Sequence, residues 1–291
     1  VDGEADDGQD GGECGEIEHH AGQREKAQRH DHIVHQRDDA PHRKLEAELD
    51  RDVDHDDGKG YQHCDTALVT QLTTHWEFDY EPKVKALRDL YEVAKKEQWN
   101  VSSDINWNLE IDKEGDILAR PQDPMRELDL VKALPDAKRQ QLAISSAAWT
   151  LSQFLHGEQG ALLCCGQLVE SVPDIDGKLY AATQVVDEAR HVEVFHRYLK
   201  RLHKVYPIDP SLKAVLNQIL EADMWQMKCI GMQVIAESIA MGSFKIMRAI
   251  THDEVFKKIL ELTSQDEARH VSYGLIYMKD AIPKMNEPDR D

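Results

Sequence analysis

The chain has 291 residues, with 35 basic and 55 acidic side chains and a formal net charge of −20. That acidic balance sets aside a nucleic-acid partner, and no uncharged apolar run approaches the roughly eighteen residues of a membrane span. Five cysteines, Cys14, Cys64, Cys164, Cys165 and Cys229, show neither CxxC nor disulfide-framework spacing. With no secretory apolar segment at the start, this usage leads us to expect a soluble, cytoplasmic protein.

Composition is uneven. Residues 1–68 hold twenty acidic against eight basic side chains, a net −12, with Tyr61 as their single aromatic and no Trp, Phe or Met. Such a stretch cannot bury enough apolar surface to offset the entropy of ordering, so it is expected to be disordered or only locally helical. Because the first methionine is Met125, a non-native leader ahead of a start near Val69 is a second expectation. Its histidines, among them His19, His20, His30, His32, His35 and His42, are too loosely spaced to define a site. Residues 69–291 carry all five Trp and all five Phe and are read as the folded domain.

Helical periodicity dominates that domain. Pro82-Lys83 opens a stretch in which Val84, Leu87, Leu90, Tyr91, Val93 and Ala94 recur at helical spacing, whereas residues 100–123 lack the period and read as a connection. A long helix is predicted from Pro135-Asp136 to Val172, running through Gly157, Gly160 and Gly166, and a second from about Asp176 to Val205. The next apolar run, from near Ser211 to about Ile250, loses register at Asp223 and reads as two helices. The last opens at Thr251, taken as N-cap with Glu254 completing a capping box, and ends by Pro283. No strand-like alternation occurs, so the class is all-α.

An internal repeat organises these helices. With Glu158 placed on Glu237, residues 158–200 lie without a gap on residues 237–279, and the words VDEARHV and QDEARHV coincide. Each half is therefore a helical hairpin with one Glu on its first helix and Asp-Glu-x-x-His on its second. A period this long, occurring twice, describes a two-fold bundle rather than a solenoid.

Glu188 and His191 are three residues apart, as are Glu267 and His270, so each pair projects from one helix face toward one point. Antiparallel pairing within the hairpins brings Glu158 and Glu237 to the same level. Four carboxylates and two imidazoles then converge, the ligand set by which helical bundles hold paired iron or manganese ions. Without cations the carboxylates would repel one another and take up protons. Asp187 and Asp266 are placed to receive the outer N–H of the opposite hairpin's histidine, and Arg190 and Arg269 to neutralise those aspartates. One ExxH on a helix carries little information; two copies, each preceded by a Glu at the same offset, carry a great deal.

These words, offsets and their order resemble the ferritin-like di-iron carboxylate superfamily over roughly residues 135–283, in a bundle of two hairpin repeats with extra helices. The DE-x-RH form looks most like the hydroxylase subunits of bacterial multicomponent monooxygenases and the related di-iron oxygenases and N-oxygenases. The resemblance implies Glu158, Glu188, His191, Glu237, Glu267 and His270 as iron ligands. It further implies two Fe ions, or a Mn/Fe pair, activating dioxygen toward a small organic substrate, with electrons from a reductase or ferredoxin. A homodimer is one assembly open to such a chain. A ferroxidase or iron-storage protein and a ribonucleotide reductase-like oxidase are the alternative readings. The chain departs from several branches: Phe195 replaces the radical Tyr of reductase small subunits, and Met241 the Thr of multicomponent hydroxylases. Thr263 stands where arylamine N-oxygenases carry a third His, and the Cys-rich module of rubrerythrins is absent.

Among the remaining residues, Cys165 falls on the face of Glu158 and reads as a small core side chain or pocket wall. Trp149, Phe154, Met241 and Phe244 read as core that would also serve a dry pocket. Tyr198 and Tyr277 read as packing residues, with an electron-relay role as the sharper alternative. His156 is expected to point away from the ligands, and His196 to reach their outer shell.

Overall fold

The computed structural model describes residues 40–54, 67–111, 113, 117–118 and 124–290. No strand occurs among them. Within the stretch read as a leader, Ala40–Asp54 forms helix α1, whose Leu49 is buried and accepts a hydrogen bond at its carbonyl from the Gln141 side chain. The remainder of residues 1–66 and its histidine-rich run, apart from His42 on α1, lie outside the described residues.

Six further helices build the domain: α2 (Lys85–Lys96), α3 (Asp136–Ser171), α4 (Ile175–Leu202), α5 (Pro210–Glu221), α6 (Trp225–Ile250) and α7 (Glu254–Ala281). The boundaries follow local chemistry. Asp174 caps α4 by accepting from the Gly177 amide at 2.9 Å, and Asp209 caps α5, with Pro210 at its first position, by accepting from Ser211 at 2.8 Å. At α7 the cap is Asp253, which accepts from Phe256 N at 2.6 Å, so the expectation for Thr251 is corrected. Thr251 instead accepts from the Asp253 amide at 3.3 Å, an earlier turn that leads into the cap.

The two hairpins, α3–α4 and α6–α7, make the bundle. Gln184 and Gln233, each four residues ahead of a site glutamate, meet at 2.7 Å, so α4 and α6 run in the same direction. Along α4 the core changes character. Tyr180 and Ala181 belong to one apolar cluster, Val194, Phe195 and Tyr198 to another, and the buried polar residues Gln184, Asp187, Glu188 and His191 lie between them. Tyr198 stacks on Phe256 and Tyr277 on Trp225, so both tyrosines pack as expected.

Helix α2 is pinned across α4 by Asp176. Its carboxylate accepts from the Lys83 and Val84 amides at 2.7 and 2.8 Å and from Arg88 Nε at 2.8 Å. This anchor fixes where the segment after α2 arrives, at Gln98 and Trp99. Helix α6 is continuous but changes pitch: Ile230–Ala236 form a π-helix immediately before Glu237. By length and composition α6 is also apolar enough to cross a membrane, although its polar side chains Gln233 and Glu237 are buried in the bundle. Its other face exposes Ile235, Ile239 and Ile246.

Gly274 of α7 sits where this π-segment approaches. A Cβ there would lie 2.7 Å from Gln233 Cβ and 3.3 Å from the Gln233 backbone carbon, so a side chain cannot be absorbed by a rotamer change. Gly274→Ala is expected to destabilise the fold by about 1–3 kcal/mol, the usual cost of overpacking, as measured by denaturant unfolding. An unchanged midpoint would show that α6 and α7 are not in close contact there.

Candidate metal centre

The six residues singled out by the repeat come together in the polar layer. Glu188, His191, Glu267 and His270 are fully buried, and Glu158 and Glu237 are exposed by only 4% and 3%. They form two overlapping groups whose ligand atoms lie within 4.8 Å of one another. The first is Glu158, Glu188, His191 and Glu267; the second is Glu188, Glu237, Glu267 and His270. Glu188 and Glu267 belong to both. Glu188 turns Oε2 to His191 Nδ1 at 3.4 Å and Oε1 to His270 Nδ1 at 3.2 Å. Glu267 does the same, with Oε1 at 3.3 Å from His191 and Oε2 at 2.9 Å from His270. Each of the two carboxylates is thus disposed to bridge.

Both imidazoles are held from behind. His191 Nε2 lies 3.0 Å from Asp266 Oδ2, and His270 Nε2 lies 3.3 Å from Asp187 Oδ2. An ionised aspartate can only accept, so each Nε2 carries a proton, and each Nδ1 faces the carboxylates, where it can serve a cation once its own proton has left. Arg190 and Arg269 each contact both aspartates, closing a ring of two anions and two cations. Asp187 and Asp266 are held below the usual carboxylate range because the histidines and arginines outweigh the burial that opposes ionisation.

The layer also contains residues that the pattern did not single out. Trp99 donates its indole N–H to Asp266 Oδ2 at 2.7 Å, and Gln98 donates to Asp187 Oδ1 at 3.1 Å. Consecutive side chains after α2 therefore brace one aspartate each. Gln184 donates to Glu188 Oε1 at 2.9 Å and faces Glu237 Oε1 at 3.4 Å, while Gln233 donates to Cys165 Sγ at 3.4 Å. The place of Gln184 was available in its spacing, one turn before Glu188 on the same face. No local signal marks Trp99, whose partner is 167 positions away.

Phe154 and Phe244 pack at 5.0 Å, and Phe195 stacks on Phe244 at 5.6 Å, as apolar core beside the layer. Cys165 is buried, and His156 turns aside to the Tyr206 carbonyl at 2.9 Å. Two expectations are corrected. Trp149 is 44% exposed and not core, and His196, five residues past His191 and hence rotated off its face, is exposed.

Do these residues fit a pair of cations? Glu188 Oε2 and Glu267 Oε1 are buried and accept no hydrogen bond, and both imidazole Nδ1 atoms face the same space. Burial, then the charge of Glu267, pushes Glu158 up to about 8, and Glu237 is raised well above the usual range for the same reasons. Orphaned carboxylate oxygens, inward-facing imidazole nitrogens and carboxyls that resist ionising alone are the signature of a donor set that two divalent ions would satisfy.

This fold and this donor set define a ferritin-like, all-helical protein with a buried carboxylate and histidine centre suited to two metal ions. The family described as P-aminobenzoate N-oxygenase AurF matches residues 81–291, over two thirds of the chain, and the chain belongs to it. No curated protein and no solved structure matches the chain. The family is one of non-haem di-iron oxygenases, and the protein is accordingly an enzyme.

The protonation of the centre makes metal uptake pH-dependent. Glu158 stays protonated below about 8, and Glu188 and Glu267 outweigh the burial of His270 and raise it to about 10. An entering cation must displace these protons, so affinity rises with pH. Between pH 8 and 6 the apparent affinity for Mn2+ is expected to fall by at least about tenfold per unit. Calorimetric titration of metal-free protein checks this, and a pH-independent affinity would contradict the proton inventory.

Proposed function

We propose that the enzyme is an O2-dependent di-iron monooxygenase, and that its substrate is a small organic molecule of the aromatic amine class named in its family's description. The observation that supports this most directly is the pair of shared glutamates, Glu188 and Glu267, each turning one oxygen toward either imidazole and each with an orphaned oxygen. Glu158, Glu188, His191, Glu237, Glu267 and His270 would hold two iron ions. A manganese–iron pair is compatible with the same oxygen and nitrogen donors.

Bound iron would supply the reductive activation of dioxygen. The chain's own residues do the rest. Asp187 and Asp266 hold the imidazole tautomers, and Arg190 and Arg269 keep those aspartates ionised, so ligand geometry is set before any ion arrives. Phe154, Phe195 and Phe244 exclude water from one side of the layer and offer an apolar wall suited to an aromatic ring.

Inserting one oxygen atom and reducing the other to water takes two electrons from outside, which implies a reductase or ferredoxin as partner. A cytoplasmic location, with reduced cysteines, accords with that supply. A homodimer would cover the exposed stripe of Ile235, Ile239 and Ile246. No observation favours iron storage, and Phe195 in place of a redox-active Tyr weighs against a radical-generating oxidase.

Metal analysis of iron-loaded protein, combined with O2 uptake and product mass spectrometry, tests the reading. Two irons per chain are expected, with O2 consumption stimulated by p-aminobenzoate or a related arylamine and a product heavier by oxygen. Glu267→Ala removes one ligand of each ion and should reduce turnover by at least about 100-fold, in the range of lost electrostatic groups at active sites. Full turnover in that variant, or in iron-free protein, would refute the assignment.

A further inference from the structure

The internal repeat gives the two halves of the centre the same candidate ligands, yet among the differences in their surroundings one falls directly on a shared carboxylate. Gln184 precedes Glu188 by one turn, and its counterpart in the second hairpin, one turn before Glu267, is Thr263. The Gln184 amide donates to Glu188 Oε1 at 2.9 Å and faces Glu237 Oε1 at 3.4 Å. It is seated by Gln233, whose carbonyl oxygen accepts from it at 2.7 Å. Thr263 is equally buried, but its hydroxyl makes no hydrogen bond to any carboxylate.

The consequence falls on one half alone. Each side has one imidazole facing a glutamate, His191 Nδ1 at 3.2 Å from Glu158 Oε2 on the first, where Glu188 Oε2 and Glu267 Oε1 are without a hydrogen-bond donor. On the side of Glu237 and His270, Glu188 Oε1 is already engaged by Gln184 and Glu267 Oε2 by His270 Nδ1. A cation entering the first position meets two shared-carboxylate oxygens that no amide engages. One entering the second must share or displace an amide hydrogen bond to a carboxylate, and such bonds to charged groups are among the stronger ones.

We propose that the two metal positions are intrinsically unequal, the Glu158–His191 position filling first, and that Gln184 is the positioning residue that holds the Glu237–His270 position weaker. This rests on the di-metal reading above and deepens it. Stepwise filling would let the enzyme hold one ion firmly while the second remains exchangeable, the arrangement a mixed-metal pair requires.

The test uses Mn2+ with the full chain, because a lone Mn2+ gives a six-line paramagnetic resonance spectrum that collapses when a second ion couples to it. Metal-free protein titrated with Mn2+ should build up the lone-ion spectrum to one equivalent and lose it toward two. The stepwise affinities should be separated by at least about tenfold, the scale of one hydrogen bond to a charged group. Gln184→Leu should narrow that separation and reduce the lone-ion signal at one equivalent. His191→Ala should abolish the tight step, and His270→Ala should spare it.

Coupled spectra from the first addition onward would overturn the proposal while leaving the di-metal reading intact. So would an unchanged separation in Gln184→Leu of native helicity, or a tight step lost in His270→Ala but kept in His191→Ala. Protein that takes up no Mn2+ and no iron at any pH would overturn both.

Discussion

Everything in this structure answers to four carboxylates buried in one layer of a helical bundle. Moving even one ionised carboxylate out of water costs several kcal/mol after relaxation, and an unpaired group would instead take up a proton. Glu158 and Glu237 show that tendency, since burial raises both. Glu267 is held low, against its burial, by His270 and His191. The layer thus holds more carboxylate than its two histidines offset, a deficit that divalent cations would complete.

The ring outside the histidines follows from the same constraint. Each imidazole must be turned so that Nδ1 faces inward, which requires an acceptor behind Nε2, and that acceptor is itself a buried anion. Asp187 and Asp266 therefore need Arg190 and Arg269, and the arginines are covered in turn by the segment following α2. This explains why α2, which contributes no candidate ligand, is anchored so firmly through Asp176. It sets the position of Gln98 and Trp99, and through them the aspartates.

Sequence reading succeeded where the determinant was periodic and failed where it was not. The hairpins, the break near Asp223 and the convergence of six side chains all followed from spacing within helices and from the gapless repeat. The Asp–His pairing across hairpins was also legible, because a two-fold relation places position 187 opposite position 270. Trp99 was not, since a loop residue meeting Asp266 leaves no trace in local period. The π-helix of Ile230–Ala236 escaped as well: it lies just ahead of Glu237, where the gapless alignment begins, so the repeat carries no sign of it. At Thr251 the capping-box spacing was present, but Asp253, closer to the helix, takes the cap.

The repeat is kept in the six glutamates and histidines and broken around them, and the breaks share a direction. Phe195 and Phe244 correspond to Gly274 and Cys165, and Thr263 corresponds to Gln184. Because the two-fold relation exchanges the ends of the bundle, one end of the polar layer is aromatic and the other is lined by amides, a thiol and a glycine that admits the π-segment. A fully symmetric centre would offer an organic molecule two equivalent approaches, with no means of distinguishing them. Divergence of the lining, with the donor set held constant, gives the centre a front and a back without altering the electrostatic balance on which the fold rests. Changing the glutamates and histidines would unbalance the buried charge, so the neighbouring turns are where the two hairpins can differ.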